Sequence, residues 1–149
     1  QELADRFRLL SKTTGATLGP FESWLCLRGL KTLALRMERH KSNAEAVSRW
    51  LREQSVVTNV YYAGSGMISF TVTSPETAVA ILKNIRLITF AESLGGTESL
   101  LTYPAVQTHP DVPREQREKL GITDTLLRLS VGIENPDDII ADLDRAMNG

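Results

Sequence analysis

The sequence predicts an α+β domain: a small, mainly antiparallel sheet of about four strands with helices over one face. Three observations carry that reading. Two β-rich runs, 56–62 and 67–73, are separated only by Ala63-Gly64-Ser65-Gly66, a hairpin spacing. The run from Leu127 to Ile133 alternates, with Leu127, Leu129, Val131 and Ile133 on one face and Arg128 and Ser130 on the other. Helical segments with clear start signals separate the strands, in the order helix, β, β, α, β, β, α.

The first residues, Gln1 to Leu10, place Leu3, Phe7 and Leu10 at helical spacing, and Ser11-Lys12-Thr13-Thr14-Gly15 breaks the pattern. Gly19-Pro20 punctuates before a short helix over 21–29 and a long one over 30–52. In the long helix Leu30, Leu33, Met37, Ala44, Val47 and Leu51 form an apolar stripe. Trp24 and Trp50 read as packing residues, and His40, followed by Lys41, as a solvated surface residue. No second histidine stands at ligand spacing, so no metal is expected. Strands over 56–62 and 67–73 follow. Ser74-Pro75-Glu76 then supplies an N-cap, a proline at N1 and an acid in the first turn of a helix ending near Asn84. Its buried side is read as Ala78, Val79, Ile81 and Leu82. Residues 87–91 form the third strand, Pro113 to Leu120 a charged helix stopped by Gly121, and the run around Arg128 the fourth strand. Asn135-Pro136-Asp137-Asp138 starts the last helix, with Ile139, Leu143, Ala146 and Met147 inward.

At 149 residues the chain is read as one domain, 1–149, whose sheet region is preceded by linking helices over 1–52. Its formal net charge of −1, with acids and bases interspersed, points to neither nucleic acid nor membrane as a partner. The one cysteine, Cys26, excludes an internal disulfide, and no apolar run reaches spanning length, so cytoplasm is the expected location.

Arg128 is the residue on which a function turns. A guanidinium in mid-strand, opposite an apolar face, is either a solvated charge or a planar fork for a carboxylate. Three words of sequence accompany it: AESLGGTESLLTYPA (91–105), QTHPDVP (107–113) and LGITDTLLRLSVGIENPDDIIADLDRAM (120–147), with TTGATLGPFESWLCLRGLKTLALRMERH (13–40) upstream. In this order they resemble the C-terminal part of the Cys/Met-metabolism, pyridoxal-phosphate-dependent enzymes, the cystathionine β-lyase, γ-lyase and γ-synthase group.

The resemblance implies the small C-terminal domain of a fold-type-I enzyme that uses pyridoxal 5′-phosphate. It makes Arg128 the ligand of the substrate's α-carboxylate and Ser93 a second contact to that group. Gly95-Gly96 then either presents Ser93 through a sharp backbone or is a plain turn. Thr108 is implied as a buttress of the arginine. Glu92 is implied to lie near the distal end of the substrate, facing the second amino group of cystathionine. His109 is read as structural. The family's Schiff-base lysine belongs to a large domain, and Lys12, Lys31, Lys41, Lys83 and Lys119 match nothing in its motif. No catalytic residue is therefore expected here, and the chain by itself is expected to be inactive. The implied activity is carbon–sulfur cleavage of cystathionine, β-lyase favoured, in a homotetramer. The γ-lyase and γ-synthase reactions, or a non-catalytic amino-acid-binding module, are the alternatives. Relatives also carry a longer loop after Tyr61-Tyr62-Ala63-Gly64. Either it is deleted here or its residues fall outside the numbering, and the second is the expectation.

Overall fold

A computed structural model describes residues 1–149, which fall into two compact units, Gln1–Ala34 and Leu35–Gly149. The first holds helices α1 (Glu2–Thr14) and α2 (Pro20–Leu30). Helix α1 runs one turn beyond the expected break and ends at Gly15, whose φ of 68° lets its N–H reach the Ser11 carbonyl. Neither helix buries a residue, and Trp24 is 52% exposed. The Trp24 ring stacks on Phe21 of its own helix and lies under the Arg28 guanidinium. The packing expected of Trp24 is thus confined to its helical neighbours.

Helix α3 (Leu33–Leu51) leads into the second unit, followed by β1 (Val57–Tyr62), β2 (Met67–Val72), α4 (Pro75–Asn84), β3 (Thr89–Phe90), β4 (Leu100–Thr102), α5 (Arg114–Lys119), β5 (Leu126–Ser130) and α6 (Pro136–Asn148). The sheet has five strands in the order β1-β2-β5-β4-β3, antiparallel except for the β3–β4 pair. The expected four strands are corrected by β4. Its three residues are all buried, so they show no alternation, and the strand is too short to register by pattern. The hairpin between β1 and β2 forms across Ala63–Gly66 as its spacing predicts, with Gly64 at φ 82°.

One face of the sheet makes the core. Ile68, Phe70, Leu101, Leu127 and Leu129 are fully buried there, together with Ala44, Val47 and Leu51 of α3, Ala78 and Ile81 of α4, and Ile139 and Leu143 of α6. Trp50 packs against this cluster, as expected. Only the C-terminal part of the α3 stripe is buried: Leu33 and Met37 are exposed, whereas every stripe position from His40 onward is covered. Val79, expected inside, is 39% exposed. The two later helices begin as read. Ser74 Oγ accepts the Thr77 N–H at 3.2 Å, and Asn135 Oδ1 accepts the Asp137 N–H at 3.2 Å.

Asp142 of α6 joins that helix to the segment between α4 and β3. Its carboxylate, 5% exposed, accepts the main-chain N–H groups of Arg86, Leu87 and Ile88, each at 3.0 Å, and pairs with Arg145. Three parallel amides on one anion fix the path of the chain into β3, where no regular element would otherwise satisfy those donors. Replacing Asp142 by Ala removes the acceptor of all three, of which the Ile88 amide is buried. Urea unfolding should register a loss on the order of 3 kcal/mol. Exposed Asp144, which accepts the Asn148 amide, should cost under about 0.5 kcal/mol on the same change. Equal costs at the two positions would remove Asp142 from this role.

Candidate functional site

Strand β5 is central, so both its neighbours fix what stands beside Arg128. Antiparallel register places Ser69 of β2 on one side and Thr102 of β4 on the other. Directly paired residues share a sheet face, so the three form a polar row on the side opposite the core. Arg128 is half-buried. Its Nη2 donates to Thr102 Oγ1 at 3.3 Å, and its Nε is buried with no hydrogen-bond partner in the chain. Thr102 is fully buried and donates its own hydroxyl to the Ala91 carbonyl at 2.8 Å. The side chain is thus held at one end with an N–H donor unused.

Ala91 begins the loop with the sequence Glu92-Ser93-Leu94-Gly95-Gly96. Its N–H is fixed on the Leu101 carbonyl at 3.1 Å, extending the short β3–β4 pairing by one residue. Glu92 and Ser93 are exposed, one and two residues beyond that anchor. Gly95 takes φ 75°, a conformation that disfavours a side chain, and its N–H donates to Ser130 Oγ at 2.9 Å. Ser130 shares the Arg128 face of β5 and is 2% exposed. The loop returns along the end of β5: the Ile133 N–H reaches the Thr97 carbonyl at 2.9 Å. Glu134 accepts the Ser99 N–H at 2.6 Å and the Ser99 hydroxyl at 3.0 Å, while Ser99 Oγ accepts the Gly132 N–H at 2.9 Å. A Cβ on Gly132 would stand 2.5 Å from the Thr97 oxygen, so this close approach requires glycine.

Helix α3 holds the same corner from the other side. Asn43 donates to the carbonyls of Gly132 (3.0 Å) and Glu134 (2.8 Å). His40 Nδ1–H donates to the Val131 carbonyl at 2.6 Å, since a carbonyl can only accept. The solvated role expected of His40 is therefore corrected: it is 3% exposed, wedged at the hairpin with its Cβ 3.0 Å from where a Gly66 Cβ would lie. The signal was present in the spacing, for position 40 completes the stripe 33, 37, 40, 44, 47, 51.

Of the residues singled out by the sequence, Arg128, Ser93 and Glu92 lie around this corner. Thr108 lies elsewhere in its bonding. Its hydroxyl donates to the Pro104 carbonyl at 3.3 Å and pairs with His109 Nδ1 at 2.7 Å. The threonine bonded to Arg128 is Thr102. Only strand register singles it out, because it is 26 residues away in sequence. Ser99 and Glu134 were missed for the same reason, and Ser130 was read on the Arg128 face without a role. Lys12, Lys31, Lys41, Lys83 and Lys119 are all exposed.

A model of the family described as "Cys/Met metabolism PLP-dependent enzyme" matches residues 1–148. Cystathionine γ-synthase of Haemophilus influenzae is 54% identical over 144 residues, covering 96% of this chain and 39% of the relative. Cystathionine β-lyase of Lactococcus lactis subsp. cremoris is 43% identical over 164 residues, covering 99% and 43%. Cystathionine γ-lyases are also similar. A crystal structure of an O-acetylhomoserine (thiol)-lyase from Campylobacter jejuni, with N′-pyridoxyl-lysine-5′-monophosphate, superposes with a TM-score of 0.89 at 36% identity, covering 93% of this chain and 37% of that one. The chain thus spans about two fifths of the length of its curated relatives. The Lactococcus alignment runs 164 positions against a chain of 149, so that relative carries extra residues, whereas the Haemophilus alignment needs only 144.

Tyr103 anchors the exit of β4. Its hydroxyl donates to the Asp124 carbonyl at 2.6 Å, beside the ion pair between buried Arg117 and half-buried Asp124. Burial, and then the Asp124 charge, hold its proton on above the usual tyrosine range near 10. The folded state thus keeps a proton that the unfolded chain has released. Stability from this group is complete below pH 10 and is lost as pH rises through the folded value. Urea midpoints taken at pH 8 and pH 10.5 should fall further for the unaltered protein than for Tyr103→Phe. Parallel falls would exclude the linkage.

Proposed function

The chain belongs to the Cys/Met-metabolism, pyridoxal-phosphate-dependent enzymes, and from that premise we propose that it is the substrate-carboxylate-binding domain of an enzyme acting on cystathionine. The observation that carries the reading is Arg128: one guanidinium nitrogen is fixed by Thr102 and the buried Nε has no partner in the chain. An amino-acid carboxylate is a planar, two-oxygen anion and matches such a fork better than a point charge would. Holding it sets the direction of the substrate's Cα–H bond, on which the reaction depends.

The cofactor supplies the electron sink for bond cleavage next to the amino-acid Cα. The residues present fit the substrate side of that chemistry. The exposed lysines of this chain offer no buried amine for the cofactor, so the reading assigns cofactor attachment to residues outside 1–149. Within the chain, Arg128 binds the carboxylate and Thr102 orients Arg128. Ser93 approaches the same group from the loop, and Glu92, one residue earlier, meets the amino group at the far end of cystathionine. The apolar residues exposed on α1, Leu3, Phe7 and Leu10, form a surface suited to packing against the large domain of the intact enzyme.

In the favoured reaction the Cβ–S bond of cystathionine breaks, releasing homocysteine and, after hydrolysis, pyruvate and ammonia. A second reading, the γ-synthase reaction, is supported by the 54% identity and by the short β1–β2 connection needing no gap of loop length in that alignment. The intact, cofactor-loaded protein distinguishes them. Pyruvate from cystathionine marks the β-lyase. Cystathionine made from cysteine and O-acetylhomoserine, without pyruvate, marks the synthase.

Arg128→Lys keeps the charge and loses the fork. It should lower kcat/KM for the amino-acid substrate by about one and a half to three and a half powers of ten, the equivalent of roughly 2–5 kcal/mol, with the absorbance of the bound cofactor unchanged. Arg86, exposed and contributing only its main-chain N–H to Asp142, serves as the control and should be replaceable at little kinetic cost. Equal losses at the two arginines would mean that charge in general, and not a carboxylate fork, accounts for Arg128.

A further inference from the structure

The segment from Ala91 to Gly95 is pinned at both ends to the Arg128 face of the sheet. At its start, Arg128 Nη2 donates to Thr102 Oγ1, and Thr102 Oγ1 donates to the Ala91 carbonyl. At its end, the Gly95 N–H donates to Ser130 Oγ at 2.9 Å. Ser93 lies midway between the two anchors. Arg128 and Ser130 are two residues apart on one strand, so they project from the same face at a separation fixed by the pleat, about 7 Å along the chain. The loop that carries Ser93 is therefore measured out against the arginine by the strand itself.

The geometry points to Ser130 as a positioning residue for the substrate carboxylate: its hydroxyl fixes the Gly95 end of the loop and so sets the distance between Ser93 and Arg128. This deepens the proposed function and rests on it. Three features carry the assignment. Ser130 is 2% exposed, so its hydroxyl has no solvent to turn to, and the bond to Gly95 satisfies a buried group. Gly95 sits at φ 75°, so its amide direction is set by a conformation that few other residues would keep. Behind it, Ser99, Gly132 and Glu134 close the loop onto the end of β5 with their own bonds. These hold the 97–99 part whether or not Ser130 is present. Removing the Ser130 hydroxyl consequently frees residues 92–96 while leaving the rest of the corner tied.

The test uses the pyridoxal-phosphate-loaded protein with Ser130→Ala, Ser130→Thr and Arg128→Lys. Hydrogen exchange at the Gly95 amide should be slow in the unaltered protein, faster in Ser130→Ala by about tenfold, and restored in Ser130→Thr, while the segment 99–103 keeps its protection. KM for the α-amino acid substrate should rise by about tenfold in Ser130→Ala with a smaller change in kcat, because the missing bond weakens binding of the carboxylate. Inhibition by the matching amine, which lacks the α-carboxylate, should be the same in Ser130→Ala and the unaltered protein. A general loss of structure would weaken both ligands, so equal loss of the amino acid and the amine overturns the assignment. Unprotected exchange at the Gly95 amide in the unaltered protein overturns it without any variant. An unchanged KM in Ser130→Ala, with Arg128→Lys impaired, overturns the role of Ser130 and leaves the carboxylate fork standing. An unimpaired Arg128→Lys would instead remove the fork on which the proposal rests.

Discussion

Strand β5 must keep its register, because its two faces have incompatible environments. Leu127 and Leu129 fill the core at 0% exposure, while Arg128 and Ser130 serve the opposite side. A slip of one residue would drive a guanidinium among Phe70, Ile68 and Leu143 and turn two leucines outward. Burying that unpaired charge is far costlier than any hydrogen bond regained. The core thus fixes the arginine as firmly as it fixes the leucines. With β2 on one side and β4 on the other, the strand has no free edge along which to shift.

Around that strand the irregular segments are held by polar groups aimed at main chain. Asp142 gathers three amides ahead of β3, Glu134 and Ser99 gather the loop at the end of β5, and Asn43 and His40 take carbonyls after it. Each solves one problem: a chain that leaves a sheet over a buried surface carries donors and acceptors that water cannot reach. The result is a corner tied together from two helices, α3 and α6, and a central strand. A loop set on such a corner can present exposed residues such as Glu92 and Ser93 at a constant distance from a half-buried cation. That constancy is what orientation of an amino acid demands.

The division of labour in the proposed function follows. The chemistry of bond breaking belongs to the cofactor, whereas the residues of this chain bind and aim the substrate. Relatives named cystathionine β-lyase, γ-lyase and γ-synthase are 43% to 54% identical to this chain over alignments that span nearly all of it. The proposed carboxylate fork would suit all three activities, since each acts on an amino acid.

Much of this was legible in the residues. Ser74-Pro75-Glu76 and Asn135-Pro136-Asp137 announced two helices, the hairpin followed from its four-residue spacing, and the alternation at 127–131 placed Arg128 opposite the core. These signals are local: a cap, a turn and a two-residue period are complete within a few residues of chain. What the tertiary structure decided was which distant groups meet. Leu100–Thr102 became a strand only because β3 and β5 flank it, and that pairing chose Thr102 as the partner of Arg128. His40 became a buried anchor only because the Val131 carbonyl lay within 2.6 Å of its ring. Short buried strands and single polar contacts carry no periodicity, so their identity is set by packing between segments and not by the sequence around them.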